Sequence, residues 1–405
     1  MKITDIETHL IQVGGRPGLS TSQPGEADFR GGRNWLFVSV HTDEGIIGYG
    51  EGSGWPRVIA TAVQDLKHLL LGEDPSHIDR LWNKMLLGTM GHGQTGTVGG
   101  GAFTAIEMAL WDIKGKALGE PVWNLLGGSF RDKIPVYGHA KTPERARELI
   151  ERGYRAAKVA FTGAVDLDDV WAVREAMGPE RDVMVDAHGP SWMTPQDAIL
   201  VGRELEKMDI LFYEDPIAPE QLNGYRRLRD ALTVPLAAGE RTSTIFGMRP
   251  LVEEELVDVI QPDTGRAGGI TQMRKMAAMA EAHGIMLAPH SGSLGPVAEF
   301  AALHVMATVP NALFLERIEF DWPGRYDVVT PVLKVEDGHL PVPNAPGLGV
   351  DLVMEEISKY PSTRNVLDVP ADDGRAFEAG TARECVYVQM RLSRSRKLRW
   401  RGAGE

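Results

Sequence analysis

Six side chains able to take part in catalysis recur along this chain on nearly one beat: Asp186, Glu214, Glu240, Asp263, His290 and Glu316. The gaps between them, by subtraction, are 28, 26, 23, 27 and 26 residues. Each closely follows a short apolar run, such as Val183-Met184-Val185 before Asp186, Leu211-Phe212-Tyr213 before Glu214 and Leu313-Phe314-Leu315 before Glu316. A strand with its return helix takes about this many residues in a parallel (β/α) barrel of about 250 residues. Polar groups at the C-terminal ends of successive strands then meet at one mouth. The beat predicts a barrel that gathers carboxylates and a histidine around one point.

Two further strands precede the ladder. Ile134-Pro135-Val136-Tyr137 reads as the first barrel strand, and Ala156 to Phe161, carrying Lys158, as the second. Between them Pro143 to Arg152 reads as a helix, with Thr142 as N-cap before a proline at N1. That makes eight strands. The residues before them, 1–125, have a different texture and read as an α+β domain. Ile3 to Glu7 alternates as a strand, and Leu36–His41 and Ile46–Glu51 flank the turn Thr42-Asp43-Glu44-Gly45 as a hairpin. Helices are expected over Pro56–Leu71, Ile78–Leu87 and Ala102–Leu118, with a glycine-crowded loop at 88–101. The stretch 14–33, rich in Gly, Pro and Ser, reads as a mobile loop; a specificity lid and plain disorder both fit it. The barrel is expected over 126–325. Residues 326–405 are expected to return to the first domain through the Pro- and Gly-rich stretch 330–350 and to end in a tail.

At 405 residues and 43% hydrophobic content, the chain is long enough for a barrel plus a smaller domain. A net charge of −13 argues against nucleic acid, which favours a clustered basic face. The one basic cluster, Arg391 to Arg401, reads as a solvated tail. A single cysteine, Cys385, excludes an internal disulfide and fits a reducing compartment. No signal peptide is visible at the first strand, and no apolar run approaches the ~18 residues of a membrane span, so a cytoplasmic protein without a membrane partner is expected.

The chemistry of the ladder divides in two. Asp186, Glu214 and Glu240 end three consecutive strands, and three carboxylates at one mouth repel one another strongly without a cation. Hard oxygen donors in that number suit Mg²⁺, although each acid taken alone is an ordinary rim residue. Asp263 and His290 end the next two strands. A carboxylate beside an imidazole fixes its tautomer and raises its pKa, so the pair reads as a general acid/base dyad. His188 shares the facing of Asp186 two residues on and reads as a second base, with backbone capping as the plainer alternative. Lys158 offers inward positive charge, and Glu316 an accessory acid. Arg241 is placed to pair with a carboxylate or to make a rim salt bridge.

These residues resemble a known family. The helix Ala105-Ile106-Glu107-Met108-Ala109-Leu110-Trp111-Asp112-Ile113-Lys114-Gly115-Lys116 resembles the signature helix of the mandelate racemase group of the enolase superfamily. So do Tyr213-Glu214-Asp215-Pro216, Ala238-Gly239-Glu240, Gln261-Pro262-Asp263 with Gly268-Gly269-Ile270, Ala288-Pro289-His290 and Pro346-Gly347-Leu348-Gly349. The likeness covers roughly residues 1–355. It implies a modified (β/α)7β TIM barrel with an N-terminal α+β capping domain completed by C-terminal residues. It also implies Mg²⁺ on Asp186, Glu214 and Glu240, removal of a proton next to a substrate carboxylate, and a symmetric homo-oligomer.

One departure narrows the reaction. Many relatives carry a Lys-x-Lys pair on the second strand, whose second lysine is a base, whereas here the triplet is Lys158-Val159-Ala160. Asp186-Ala187-His188 supplies a histidine on the third strand instead. That pattern resembles acid-sugar dehydratases of the galactonate type, as do Asn34-Trp35-Leu36-Phe37 and Leu294-Gly295-Pro296. The resemblance implies a hydro-lyase acting on a sugar acid. His188 would take the C2 proton, Lys158 would stabilise the enediolate, and His290 with Asp263 would protonate the leaving 3-hydroxyl. A racemase or epimerase remains open, as does a noncatalytic sugar-acid binder. A metal hydrolase would want a His-x-His on the first strand, where Tyr137-Gly138-His139 has one histidine only.

Overall fold

The computed structural model describes residues 1–13, 33–89, 96–160, 167–187, 192–291, 294–318 and 324–362. His188, Cys385, the basic tail and all but the last residue of the expected 14–33 loop lie outside the described residues.

The N-terminal domain is a three-stranded antiparallel sheet covered by helices. Strand β1 (Ile3–Val13) pairs with β2 (Arg33–Thr42), and β2 with β3 (Ile47–Gly52). The hairpin closes on Gly45, whose φ of +78° suits glycine, and on Thr42, whose hydroxyl donates to Ile46 O at 2.8 Å. Helices α1 (Pro56–Leu70), α2 (Ile78–Gly88) and α3 (Thr97–Leu118) follow. Helix α3 is apolar nearly all round because it lies between the sheet and the barrel. The sheet can approach it closely because Gly48 and Gly50 have no side chain. A Cβ on them would sit 2.1 Å from Ala109 O and 2.0 Å from Ala105 O. The helix starts at Thr97, inside the stretch expected to be a glycine loop. Gly100 and Gly101 serve packing there, since a Cβ on either would meet Ser243 Oγ at 2.3 Å or Ile59 Cδ1 at 2.6 Å.

Eight parallel strands then form the barrel: β4 (Lys133–His139), β5 (Ala156–Ala160), β6 (Asp182–Asp186), β7 (Tyr213–Glu214), β8 (Leu236–Ala238), β9 (Val259–Ile260), β10 (Met286–Leu287) and β11 (Leu315–Glu316). Their order runs β10-β9-β8-β7-β6-β5-β4-β11. The ring closes where Leu287 bridges Ala312 and Leu313 N donates to Leu287 O at 2.8 Å. One helix follows each of β4 to β10, among them Pro143–Glu151, Ile270–Ala282 and Pro296–Ala307, which gives the (β/α)7β pattern. Thr142 caps the first of these by accepting from Arg145 N.

Alternation along each strand sorts the barrel interior into layers. Tyr137, Ala156, Met184, Phe212, Ala237, Val259 and Ala288 form an apolar floor. Two residues further along those strands stand His139, Lys158, Asp186, Glu214, Gly239, Gln261 and His290, with Glu316 two beyond Phe314. The apolar floor thus carries a polar layer at the C-terminal end of the barrel.

The chain ends by stitching the two parts together. Strands β12 (Val329–Thr330) and β14 (Asp351–Leu352) pair, while β13 (His339–Pro341) lies antiparallel on β4. Gly347, at φ +74°, lets the Pro-Gly-Leu-Gly turn press on α3, where Asp112 accepts from Leu348 N at 2.8 Å. Gln12 N donates to Tyr360 O at 2.9 Å, so the last described residues meet β1. Among the described residues no helix is long and apolar enough to cross a membrane.

Candidate active site

Lys158 is the hub on one side of the polar layer. Its Nζ lies 2.6 Å from Glu316 Oε1, 2.8 Å from Glu214 Oε2 and 3.4 Å from Asp186 Oδ2, and the residue is 1% exposed. It also sits 5.5 Å from the centre of the Tyr137 ring. Burial alone would push its pKa down, but Glu214 and Glu316 hold it well above the usual lysine range. Glu214 is shifted upward as well: burial first, then the Asp186 charge, pushes it up to about 7. Its second oxygen, Oε1, is buried with no hydrogen-bond partner.

His290 is the hub on the other side. Its Nδ1 lies 2.7 Å from Asp263 Oδ2, its Nε2 lies 2.6 Å from Glu240 Oε2, and Glu316 Oε2 stands 3.7 Å away. Burial opposes the charged ring, but Glu240 and Glu316 raise its pKa well above the ordinary histidine value. An imidazole held between two acids carries protons on both nitrogens, one for each acceptor. Glu240 reaches this position through a break in the alternation. Gly239 takes φ +132°, which turns the next side chain into the mouth. Burial would raise Glu240, yet His290, Arg266 and Arg241 keep it well below the carboxylate range.

Asp263 is fully buried and held at both oxygens. Oδ1 accepts from Ser53 Oγ at 2.7 Å and from Gly265 N at 2.9 Å, while Oδ2 faces His290 and Arg266 Nη1, the latter at 3.1 Å. Glu316 accepts from Ser291 N at 2.6 Å and pairs with His139 Nε2 at 2.7 Å. Burial works against its charge, but Lys158, His290 and His139 hold it well below the carboxylate range. It is therefore an anion that organises two cations. Arg241 makes a rim salt bridge to Glu240 Oε1 at 2.7 Å and stacks over Trp192 at 5.0 Å.

The described members of the ladder thus meet at one mouth, with Lys158 among them. His188 lies outside the described residues. The alternation that turns Lys158 inward also turns His139 and Gln261 inward, and the ladder spacing omits both. Gln261 is fully buried, with neither amide atom hydrogen-bonded. Among the described residues no three acidic, histidine or cysteine side chains stand together as a metal-holding group. Asp186 and Glu214 pair with Lys158, and Glu240 with His290.

Residues 29–127 match the mandelate racemase / muconate lactonizing enzyme N-terminal domain, and residues 141–357 match the enolase C-terminal domain-like family. The D-galactonate dehydratase of Pectobacterium atrosepticum is 36% identical over 360 residues, covering 82% of this chain and 93% of its own length. That of Klebsiella pneumoniae is 37% identical over 361 residues, with the same coverage of 82% and 93%. The 3,6-anhydro-D-galactonate cycloisomerase of Zobellia galactanivorans superposes with a TM-score of 0.79 at 32% identity, over 89% of this chain and 99% of its own. A member of the enolase superfamily from Salmonella Typhimurium superposes with a TM-score of 0.77 at 29% identity, over 89% and 98%. With both domains matched and the (β/α)7β barrel under its cap, the chain belongs to the enolase superfamily, in the mandelate racemase / muconate lactonizing enzyme group.

Proposed function

We propose that this protein is a Mg²⁺-dependent dehydratase of a galactonate-like sugar acid. The observation that carries the reading is the His290–Asp263 pair at 2.7 Å, facing the Lys158-centred carboxylates across one barrel mouth. Relatives at 36% and 37% identity named D-galactonate dehydratase support the substrate class.

The residues fit Mg²⁺. Asp186, Glu214 and Glu240 supply only hard oxygen donors, and Glu214 Oε1 is buried without a partner, an arrangement that a cation would relieve. These three would hold the ion, with Lys158 and His290 giving up part of their present contacts. Bound there, Mg²⁺ would supply Lewis-acid stabilisation of the negative charge that develops on the substrate carboxylate.

In the elimination, His188 takes the proton from C2; its place two residues past Asp186, and the absence of a second lysine at Ala160, support that role. Lys158 adds fixed positive charge beside the carboxylate that gathers electron density. The electron pair then expels the 3-hydroxyl as its C–O bond breaks, and His290 donates the proton that makes it water. Asp263 keeps the ring turned for that transfer. The remaining enol takes a proton at C3 and becomes a 2-keto-3-deoxy acid. Glu316 serves as the anion that fixes Lys158 and His290. A sugar acid whose C3 oxygen belongs to a ring would open instead of losing water. The likeness to the anhydrogalactonate cycloisomerase makes that a second substrate to try.

The deciding experiment is a panel of aldonates and anhydro-aldonates incubated with the protein and Mg²⁺ in D₂O. A 2-keto acid detected with semicarbazide is the expected outcome. Recovered sugar acid deuterated at C2, with no keto acid, would instead identify an epimerase. No change in any substrate would leave a sugar-acid binder.

A further inference from the structure

The acid/base dyad of the barrel is completed from the other domain. Ser53 follows the last residue of β3 and is 4% exposed. Its hydroxyl donates to Asp263 Oδ1 at 2.7 Å, and its backbone N donates to Gly265 O at 2.9 Å. Gly265 allows this approach because a Cβ there would lie 2.8 Å from Ser53 Oγ. Two residues earlier, within β3 itself, Glu51 also reaches the barrel domain. It accepts from Gly295 N and, at 3.0 Å, from Ala298 N, capping the helix Pro296–Ala307 that follows the His290 strand. The end of β3 thus grips the loop after Asp263 with Ser53 and the helix after His290 with Glu51.

The consequence for Asp263 is geometric. Its Oδ2 alone serves His290, and it is shared with Arg266. Were Oδ1 free, the carboxylate could rotate toward the guanidinium and leave the imidazole. Ser53 Oγ and Gly265 N hold Oδ1 from two directions and so fix the plane in which Oδ2 meets His290 Nδ1. Partners that orient a catalytic imidazole through its carboxylate change rates without touching substrate.

We propose that Ser53 is a positioning residue for the His290–Asp263 dyad, supplied by the capping domain so that the dyad is complete only with that domain seated. This rests on the dehydratase reading above and deepens it. A merely structural serine and a positioning one differ in how the reaction partitions. If Ser53 positions His290 as the acid, Ser53→Ala slows elimination while C2 deprotonation continues, and the carbanionic intermediate returns to substrate.

The test follows C2 deuterium in recovered substrate and keto acid in product for wild type, S53A, S53T and H290N, with Mg²⁺ in D₂O. H290N should exchange without eliminating. S53A should then show an exchange-to-elimination ratio raised about tenfold, with KM little changed. S53T, which keeps the hydroxyl, should move back toward wild type. A wild-type ratio in S53A overturns the proposal, because a folding defect lowers both rates together. If H290N loses exchange as well, His290 is the base and the dehydratase assignment of roles fails. The Ser53 proposal is then read from exchange alone, per folded molecule, and a wild-type exchange rate in S53A overturns it.

Discussion

Lys158 Nζ lies 2.8 Å from Glu214 Oε2, and both groups are 1% exposed. The lysine stands among Glu214, Asp186 and Glu316 as the fixed positive charge of a strongly acidic layer. A buried ion pair is costly to break from one side, because the remaining charge is left uncompensated. Two of the same carboxylates are the proposed Mg²⁺ ligands. Lysine and metal therefore compensate overlapping negative charge.

Replacing Lys158 by Met should expose that overlap. Without metal, K158M should lose about 3–5 kcal/mol of stability, since the buried Glu214 and Asp186 then lose the lysine charge beside them. Mg²⁺ should restore much of it, so the rise in Tm on going from EDTA to Mg²⁺ should be larger in K158M than in wild type. Turnover should be lost in both conditions. Calorimetry decides the matter, and an equal Mg²⁺ shift in the two proteins would separate the lysine from the metal carboxylates.

His290→Asn removes the proton donor while leaving Asp186 and Glu214 untouched. General acid–base steps contribute about 10²–10⁴-fold, so kcat for keto-acid formation should fall by at least about 100-fold. Glu240 Oε2 then loses its partner at 2.6 Å, so Mg²⁺ affinity by titration calorimetry should be retained or tightened. Undiminished turnover would remove His290 from the mechanism, whatever the metal does.

Much of this site is readable from the chain alone, for a physical reason. Each βα unit spends a similar number of residues, so the ends of β6 to β11 announce themselves by spacing. The two-residue alternation then tells which side chains turn inward, and it covers Lys158 and Asp186. It covers His139 too, but that residue closes the first barrel strand, before the beat begins. The pairing across the mouth is not readable in this way. Ser53 and Asp263 are 210 positions apart, and their contact depends on how one domain seats on the other. The same limit hides the start of α3. Glycines that look like a loop locally are helical because their missing side chains admit Ser243 and Ile59.

The packing of β3 on α3 gives a test of the fold itself. Gly50→Ala would place a methyl 2.0 Å from Ala105 O, a backbone atom that cannot step aside cheaply. Overpacking of this kind costs about 3 kcal/mol at the upper end of the usual range. Gly45→Ala, on the exposed hairpin turn, meets nothing within 4 Å and strains only its φ of +78°. It should cost about 1 kcal/mol. Urea denaturation of the two variants should therefore rank G50A well below G45A, and the reverse order would contradict the close approach of sheet and helix.

The domain contact should also carry a pH signature, through Glu107. From α3 it accepts Ile270 N at 2.7 Å and Thr271 N at 2.9 Å, capping the barrel helix Ile270–Ala282 from the other domain. Burial pushes its pKa up from 4.5 to about 7, against the pull of those donors. A folded-state pKa above the unfolded one means that the folded protein binds more protons between these values. Stability from this group is then full below about pH 4.5 and is lost as pH rises through 7. At about 1.36 kcal/mol per pKa unit the loss is about 3 kcal/mol. Gln cannot titrate, so the stability of wild type relative to E107Q should fall from pH 5 to pH 7 and level off above pH 8. Other buried acids such as Glu51 are common to both proteins and cancel in the difference. Urea unfolding at four pH values measures it. A difference that grows with pH would mean that the three N–H donors around Glu107, Trp111 Nε1 included, outweigh its burial and keep it a carboxylate throughout.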